Sequence, residues 1–401
     1  MKPRILLLLP QMPQDPSSGA ARTAQTAVEM AREGGFEVAA LATTATERGA
    51  HAHAFAYLAS AGLAPEERLL AKRGFREIRF VQRGIPYRLL DTGRFPVLGW
   101  EKTHGRVFDQ LLDETLLSFR PDIVFTYGAM AGDLRRHKRI RQSGARIAFC
   151  VFNLGYLVKG LLDEMDAVLT PSEFLAARYR SAVGLESTPL PTPLDTSDVL
   201  SPEREPIFVT MVNPSVEKGL FFFVRLAEEL AREDPRIAML AIESRGTAGM
   251  VCQAGLRGGF DLRRHESIMI AEAVPHPRDI YAHARVLLAP SVVEEASGRV
   301  VPEAMINGVV PLVSDRGGLA ESCHGAGFVL PLPDTYSTET RKPVDAAAVR
   351  PWIDVILRLA FDESFYQSEV AKARVAATHY HRATLTPRYI RFFTSILEKR
   401  D

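Results

Sequence analysis

Residues Pro290–Met305 read PSVVEEASGRVVPEAM, and the chain continues through INGVVPLVS to Gly317-Gly318. The apolar run 286–289 before this stretch predicts a buried strand that stops at Pro290. A polar loop follows, and a helix is predicted to start near Gly298 or Arg299. Gly308 is suited to end that helix in a left-handed conformation, and residues 309–314 predict the next strand. The stretch therefore predicts a strand–loop–helix–strand unit.

The loop between this strand and this helix is suited to an anion. The first turn of a helix presents unpaired backbone N–H groups and a partial positive charge. We therefore expect a polyanion here, above all a diphosphate, held near Ser297, Gly298, Arg299 and Val300.

Two carboxylates refine this expectation. Glu303 lies about one turn into the predicted helix, where it could accept hydrogen bonds from hydroxyls next to the phosphates, as a ribose would present them. Glu295 stays in the loop, where a sugar beyond the phosphates would lie. An ordinary strand–helix turn with solvated glutamates is the alternative.

The complete string resembles the donor-site motif of retaining GT-B glycosyltransferases of the family 4 type. The resemblance is carried by Glu295-x7-Glu303 with the following Ala-Met, by Gly308 and Pro311, and by the Ser-Asp-x-Gly-Gly run at 314–318. It implies an α/β fold of two Rossmann-like, doubly wound domains that face each other across a cleft. It also implies a nucleotide sugar as donor substrate and a hydroxyl-bearing acceptor.

Length and composition agree with a two-domain α/β protein. The chain has 401 residues, 46% hydrophobic and 24% charged, with a net charge of +1. A charge so near zero argues against a nucleic-acid binder. The three cysteines lack metal-ligand spacing, so Cys150 and Cys323 are predicted to be buried free thiols in a reducing compartment. The apolar run at residues 5–9 is too short for an export signal, and we expect a cytoplasmic protein, at most peripheral to a membrane.

The domain boundary is predicted in a proline-rich linker at residues 188–206, which contains five prolines. Residues 1–195 would form the acceptor-side domain and residues 205–382 the donor domain. The resemblance implies that a last helix at about 383–401 packs back on the first domain.

The first domain begins with a predicted strand at residues 5–9, a loop and a helix at 22–33. The loop lacks the Gly-x-Gly-x-x-Gly pattern, so the hypothesis of a nicotinamide cofactor lacks its main support. The resemblance implies that this loop, around Ser18-Gly19, closes over the donor phosphates. Asn153, after a later strand, lies where many family members have a His or Asp that contacts the transferred sugar. An Asx turn is the alternative for Asn153.

A basic stretch between residues 68 and 94 has two interpretations. Its scattered charges could form a solvated face, or they could form a patch that attracts anionic lipid or an acidic acceptor. Residues 137–144 are likewise predicted to be basic helix surface. The charges of the basic stretch are Arg68, Lys72, Arg73, Arg76, Arg79, Arg83, Arg88 and Arg94.

The second domain is predicted to open with a strand at 207–212, and Lys218 would start the next helix. The resemblance implies that Lys218 contacts the diphosphate as a point charge. Most members carry an Arg near Asn213, so the chain departs from the family there, and Arg299 could substitute. Glu243 follows a further strand, in a loop that the resemblance places near the nucleotide base. Uridine, guanosine and thymidine are not distinguished by these residues.

The resulting prediction is a retaining transfer of a sugar from a nucleoside diphosphate to a hydroxyl. Lys218 and Arg299 would stabilise the leaving diphosphate, and Glu295 would orient the donor sugar. The sequence contains neither an Asp-x-Asp motif nor a cluster of histidines, so no metal is predicted. No residue stands out as a general base. A nucleotide-sugar epimerase or hydrolase, and a non-catalytic nucleotide-sugar-binding protein, are the alternatives.

Overall fold

A computed structural model describes residues 2–15, 17–47, 53–70, 74–274 and 276–398. The chain divides into two compact units. Unit 1 comprises Met1–Pro171, Ala176–Pro193 and Arg382–Asp401, and unit 2 comprises Ser172–Leu175 and Leu194–His381. Two segments differ from the predicted limits, because residues 172–175 and 194–204 are grouped with unit 2.

Unit 1 combines one sheet with surrounding helices. Helix α5 belongs to it from Ala176 onward. Its elements are β1 Arg4–Leu8, α1 Gly19–Glu33, β2 Glu37–Thr43, α2 Ala54–Ser60, β3 Glu66–Leu69, β4 Arg76–Gln82, β5 Ile85–Leu90, α3 Glu101–Phe119, β6 Ile123–Thr126, α4 Ala131–Gln142, β7 Arg146–Cys150, β8 Ala167–Thr170, α5 Glu173–Val183 and β9 Thr188–Pro189.

Within the described residues, the sheet of unit 1 has the order β3-β4-β5-β2-β1-β6-β7-β8-β9. In the part of the sheet with the spatial order β5-β2-β1-β6-β7-β8-β9, each strand pairs in parallel with the next. Strands β3, β4 and β5 pair antiparallel. The sequence did not predict β3, because all four of its residues are exposed and give no apolar pattern. Pairing with β4 forms that strand.

The last helix, α14 at Arg382–Glu398, belongs to unit 1. Its Phe393 ring packs edge-on against Phe125, with 5.3 Å between centroids, and against Phe36 at 6.1 Å. The Tyr389 hydroxyl donates to the carbonyl of Pro191 over 3.1 Å. Aromatic residues at helical spacing therefore anchor α14 to the sheet and to the segment between α1 and β2.

Unit 2 alternates strands and helices along most of its length. Its elements are α6 Thr196–Val199, β10 Phe208–Val212, α7 Leu220–Glu233, β11 Met239–Ile242, α8 Ala248–Arg257, β12 Ile268–Ala271, α9 Pro277–Tyr281, β13 Ala284–Ala289, α10 Val300–Ile306, β14 Val310–Ser314, α11 Leu319–Ser322, β15 Phe328–Leu330, α12 Ala346–Phe361 and α13 Glu363–Ala377.

The sheet of unit 2 has the order β12-β11-β10-β13-β14-β15, and the pairing is parallel throughout. Counted from β10, this is the 3-2-1-4-5-6 order of a doubly wound sheet. The strand order reverses between β10 and β13, and open α/β sheets bind ligands beyond the carboxyl ends of the strands at such a point.

Apolar packing fixes this sheet. Phe222, Phe223 and Trp352 are fully buried where α7 and α12 pack together on one face. Helix α10 covers part of the other face through Val301, Ala304 and Met305. It begins at Val300 rather than at 298–299, and Gly308 follows it at φ +68°. The predicted left-handed end of this helix is confirmed.

Candidate active site

Two loops meet at the point where the strand order of unit 2 reverses. One follows β10 and spans residues 213–219; the other follows β13 and spans residues 290–299. The N–H of Val292 donates to the carbonyl of Glu217 over 3.0 Å. Gly219 has φ +92°, and a Cβ there would lie 2.1 Å from the carbonyl oxygen of Pro290. A glycine is therefore required for the two loops to approach this closely.

Lys218 and Glu295 join these two loops. The Lys218 ammonium forms an ion pair with Oε1 of Glu295. The Ser291 hydroxyl donates to the same oxygen over 2.7 Å. The Lys218 side chain is 28% exposed and that of Glu295 is 13% exposed, so a ligand can reach the pair. The structure thus brings together a cation and a carboxylate that are 77 residues apart.

Arg299 and Glu303 form a second pair at the start of α10. Nε of Arg299 lies 2.6 Å from Oε1 of Glu303. The Tyr281 hydroxyl donates to the other carboxylate oxygen, Oε2, over 3.1 Å. Burial and the Glu303 charge raise the pKa of Tyr281 well above its ordinary value, so this hydroxyl remains a donor. Sequence analysis missed Tyr281, because a tyrosine in a short helix carries no motif.

The Gly317-Gly318 turn contacts the backbone of the loop that carries Glu295. Glu295 and Gly317 form an isolated parallel bridge, and the N–H of Gly318 donates to the carbonyl of Glu295 over 2.7 Å. A Cβ at Gly317, where φ is +66°, would lie 2.4 Å from the backbone nitrogen of Glu295. The two glycines of the predicted motif therefore set the backbone position of this glutamate.

The predicted donor residues Ser297, Gly298 and Val300 lie between Glu295 and Glu303. The carbonyl of Ser297 accepts a hydrogen bond from the Ser322 hydroxyl. Gly298 has φ +73°, and a Cβ there would lie 2.3 Å from a Leu319 methyl carbon. Helix α11 thus holds this loop from one side.

Asn213 and Glu243 have structural partners. The Asn213 backbone is left-handed at φ +61°, and its Oδ1 accepts from the N–H of Gly246 over 2.9 Å. Oε1 of Glu243 accepts from the N–H of Ala248 over 2.5 Å at the start of α8. Both side chains therefore stabilise loops next to Lys218, and their predicted contact with a donor stays a prediction.

The predicted residues of unit 1 lie on separate loops. Gly19 is exposed and is the first residue of α1, after the N-cap Ser18. Oδ1 of Asn153 accepts from the N–H of Gly155 over 2.7 Å, which is an Asx turn. Contact of either residue with a substrate stays a prediction.

The basic stretch of unit 1 is largely compensated by acids. Glu77 is fully buried and pairs with Arg79 at 2.5 Å, Arg88 at 3.0 Å and Arg68 at 3.8 Å. Arg76 pairs with Glu67 and Arg83 with Glu29. Lys72 and Arg73 lie outside the described residues. These ion pairs leave fewer charges for a membrane than the sequence suggests.

Helix α4 differs in part from the prediction that residues 137–144 form a basic helix surface. His137, predicted on the basic surface, is only 2% exposed, and Arg136 is equally buried. Arg136 pairs with Glu101, Asp109 and Asp133, and its guanidinium lies over the ring of Trp100. The prediction was wrong for His137, which packs edge-on against Phe149, whereas Lys138, Arg139 and Arg141 of the same predicted surface are exposed. Arg136 can be buried because acids of α3 and α4 pair with it.

Two general findings concern metals and membranes. In the described ranges, no group of three or more His, Cys, Asp or Glu side chains could hold a metal ion. None of the helices in those ranges is both long and apolar enough to cross a bilayer.

Cys150 and Cys323 are buried and unpaired, as predicted.

The fold is the GT-B fold of solved glycosyltransferase structures. Residues 204–341, which contain both charge pairs, match the family model described as glycosyl transferases group 1. The curated proteins contain no match to this chain.

Solved structures share the fold over the complete chain. A sucrose-phosphate synthase from Thermosynechococcus elongatus is 14% identical, with a TM-score of 0.70 and coverage of 99% of this chain and 100% of that chain. The catalytic domain of Arabidopsis thaliana starch synthase IV, solved with ADP and acarbose, is 13% identical, with a TM-score of 0.67 and full coverage of both. An Anabaena protein in complex with UDP and glucose is 14% identical, with a TM-score of 0.65 and coverage of 98% and 99%.

Proposed function

We propose that this protein is a retaining, metal-independent glycosyltransferase that moves a sugar from a nucleoside diphosphate to an acceptor hydroxyl, in the synthesis of a glycan, glycolipid or other glycoconjugate. The observation that carries the proposal is the convergence of Lys218, Glu295, Arg299 and Glu303 at one edge of the unit 2 sheet. Similar folds have been solved with UDP and glucose and with ADP and acarbose.

The two ion pairs suggest how the donor would bind. A diphosphate carries more negative charge than one carboxylate, so it would compete with Glu295 for the Lys218 ammonium and with Glu303 for Arg299. Each glutamate would then turn to neutral hydroxyls: Glu303 to the ribose and Glu295 to the donor sugar. Tyr281 would keep Glu303 in place by holding its second oxygen.

Catalysis would come mainly from stabilising the leaving group. Negative charge develops on the diphosphate as the anomeric bond breaks, and Lys218 and Arg299 would be closest to that charge. Positive charge develops on the sugar ring at the same time, and the Glu295 carboxylate would face it. The departing phosphate would take the acceptor proton, so a separate general base would not be needed.

The metal-free mechanism follows from the residues at this edge. Lysine and arginine supply the positive charge that a divalent cation would otherwise provide. Addition of a chelator to the purified protein tests this point. Unchanged turnover in the presence of excess chelator is expected, and turnover restored only by added Mg²⁺ or Mn²⁺ would contradict it.

Differential scanning of the protein against UDP-, GDP-, dTDP- and ADP-sugars tests donor binding. We expect one nucleotide to raise the melting temperature, because ligands that bind only the folded state stabilise it. Product analysis then separates the alternatives: free sugar or an epimerised nucleotide without acceptor would indicate a hydrolase or an epimerase. Binding without turnover, after a broad acceptor screen, would indicate a non-catalytic binding protein.

We also propose a cytoplasmic location, supported by the unpaired thiols of Cys150, Cys252 and Cys323. Peripheral membrane contact is the weaker part of the proposal, because most arginines of the basic stretch are ion-paired. Cosedimentation with vesicles containing anionic lipid tests it, with Arg94→Gln as the variant. No sedimentation of the intact protein would remove membrane contact from the proposal.

A further inference from the structure

A polar cavity lies in unit 2, at the edge of the sheet opposite the candidate active site. It encloses about 460 Å³ and is lined by residues that precede strands, including Pro206 before β10 and Asn307 before β14. All strands of this sheet are parallel, so their amino ends share one edge and their carboxyl ends the other. The cavity is therefore separate from the loops that carry Lys218 and Glu295.

Two arginines converge in this cavity. A Cβ placed on Gly308 would lie 2.8 Å from Nε of Arg374 and 3.4 Å from Nη1 of Arg204. Arg204 is held in place from behind: its Nη2 donates to the carbonyl of Ala284 over 2.6 Å and its Nε to that of Tyr281 over 3.2 Å. Backbone carbonyls thus fix one guanidinium, while the exposed Arg374 approaches from α13.

Among the residues that the structure describes, no carboxylate lines the cavity. In the part of the chain that the structure describes, neither Arg204 nor Arg374 forms an ion pair with an acid. Most other arginines of unit 2 do have acidic partners, such as Arg285 with Glu363. Burial lowers the pKa of Arg204, and the Arg374 charge acts in the same direction against the opposing effect of Tyr366. Two neighbouring like charges without an acid are unfavourable unless an anion joins them.

We infer that this cavity is a second anion site, and that it binds a small phosphate-bearing molecule. Two guanidinium groups present forked donors that match the oxygens of a phosphate. The remaining lining is uncharged. Its polar side chains are Ser201, Asn307, Gln367 and Tyr366, of which Tyr366 is hydrogen-bonded to Arg204, and Ile306 and Val370 are among the apolar ones. The volume suits a molecule larger than a single phosphate ion.

The site is connected to the candidate active site through helix α10. Nδ2 of Asn307 donates to the carbonyl of Glu303 and to that of Val199, each over 2.9 Å, and its Oδ1 accepts from the N–H of Ser201 over 2.9 Å. One side chain thus links the cavity wall to the helix that presents Arg299 and Glu303.

Calorimetric titration of the full chain at low ionic strength tests the inference, with glycerol 3-phosphate, inorganic phosphate and glycerol as probes. We expect saturable binding of the phosphates and none of glycerol. Arg374→Gln should weaken binding at least tenfold, and Arg374→Lys should retain part of it. Lys372→Gln removes the same charge from the same helix but outside the cavity, so it should bind as the wild type does.

The probes and a competition experiment separate the remaining outcomes. Tighter binding of glycerol 3-phosphate than of inorganic phosphate would identify a phosphate ester as the ligand, and equal binding would identify free phosphate. Wild-type binding by Arg374→Gln, or no saturable binding by the intact protein at millimolar phosphate, would overturn the inference. Displacement of the phosphate probes by UDP to the same extent in the wild type and in Arg374→Gln would also overturn it, because the probes would then occupy the donor site.

Discussion

Lys218 and Glu295 hold each other across two loops that follow neighbouring parallel strands. In the proposed binding mode, a diphosphate would have to replace this carboxylate at Lys218. A second ion pair of this kind lies at the start of α10, where Glu303 pairs with Arg299. Each cation that is proposed to bind phosphate is paired with a glutamate, which holds its side chain in position.

Replacing Glu295 by Gln should lower turnover about 100-fold, because a neutral amide does not stabilise positive charge on the sugar. Nucleotide affinity should stay unchanged or become tighter, since Lys218 loses its competing carboxylate. Turnover with the identified donor and UDP titration measure the two quantities. Glu294→Gln, at the adjacent carboxylate, is the matched control. Wild-type turnover in Glu295→Gln would remove this residue from the site.

Replacing Glu303 by Ala should weaken nucleotide binding about tenfold, the effect of losing a charged hydrogen-bond acceptor worth about 1.5 kcal/mol. The buried hydroxyl of Tyr281 also loses its partner, so some loss of stability is expected. Titration with a nucleoside diphosphate and with the corresponding 2′,3′-dideoxynucleotide separates these effects. If Glu303 binds the ribose, the variant should no longer discriminate between the two ligands. Preserved discrimination would contradict the assignment.

Replacing Tyr281 by Phe removes one donor from the Glu303 carboxylate and leaves the ring. We expect a rise of about 3- to 10-fold in the donor KM, with a smaller change in kcat, because a net hydrogen bond contributes about 1 kcal/mol. Tyr336→Phe is a control at another buried tyrosine of the same unit. A change in kcat alone would show that Tyr281 acts on the reaction rather than on the position of Glu303.

Replacing Arg136 by Met should destabilise unit 1 by about 3–5 kcal/mol, because Asp109 and Asp133 are then left without their buried cation. Denaturant unfolding followed by circular dichroism measures the change. The exposed Arg139, which pairs with Asp113, provides the control Arg139→Met and should change stability by less than about 1 kcal/mol. Similar effects of the two substitutions would show that burial of Arg136 contributes little.

The stability of unit 1 should depend on the protonation of Asp133. Burial raises the pKa of this carboxyl from 3.8 to about 6, against the lowering effect of Arg136. The folded state therefore binds more protons than the unfolded state between about pH 4 and pH 6, and this contribution to stability is lost as the pH rises through that window. Asp133→Asn should remove the loss.

The measurement is the melting temperature of both proteins between pH 4 and pH 7. His137 titrates in the opposite sense in the same window, because burial lowers its pKa to about 4, but it is present in both proteins. The difference between wild type and Asp133→Asn therefore isolates Asp133. A constant difference across the window would contradict the raised pKa.

Local patterns were sufficient for the elements around the candidate site. The apolar run before Pro290, the end of α10 at Gly308 and the Gly317-Gly318 turn depend on side-chain size and backbone freedom within a few residues. The exposed strand β3 and the buried face of α4 could not be predicted in this way. Strand β3 is defined by its pairing with β4, and Arg136 pairs with two acids of α3 that lie 27 and 35 residues earlier in the sequence.

The sequence by itself predicted the alternation of strands and helices from short-range periodicity. Its resemblance to a glycosyltransferase family implied the doubly wound class and the candidate residues Lys218, Glu295, Arg299 and Glu303. Only the tertiary structure decided which charges meet. The tertiary structure brings Lys218 to Glu295 and Tyr281 to Glu303, and it gives Arg204 and Arg374 no acidic partner among the described residues. The three-dimensional arrangement of the parallel strands sets these contacts. They cannot be deduced from the spacing of the residues along the chain.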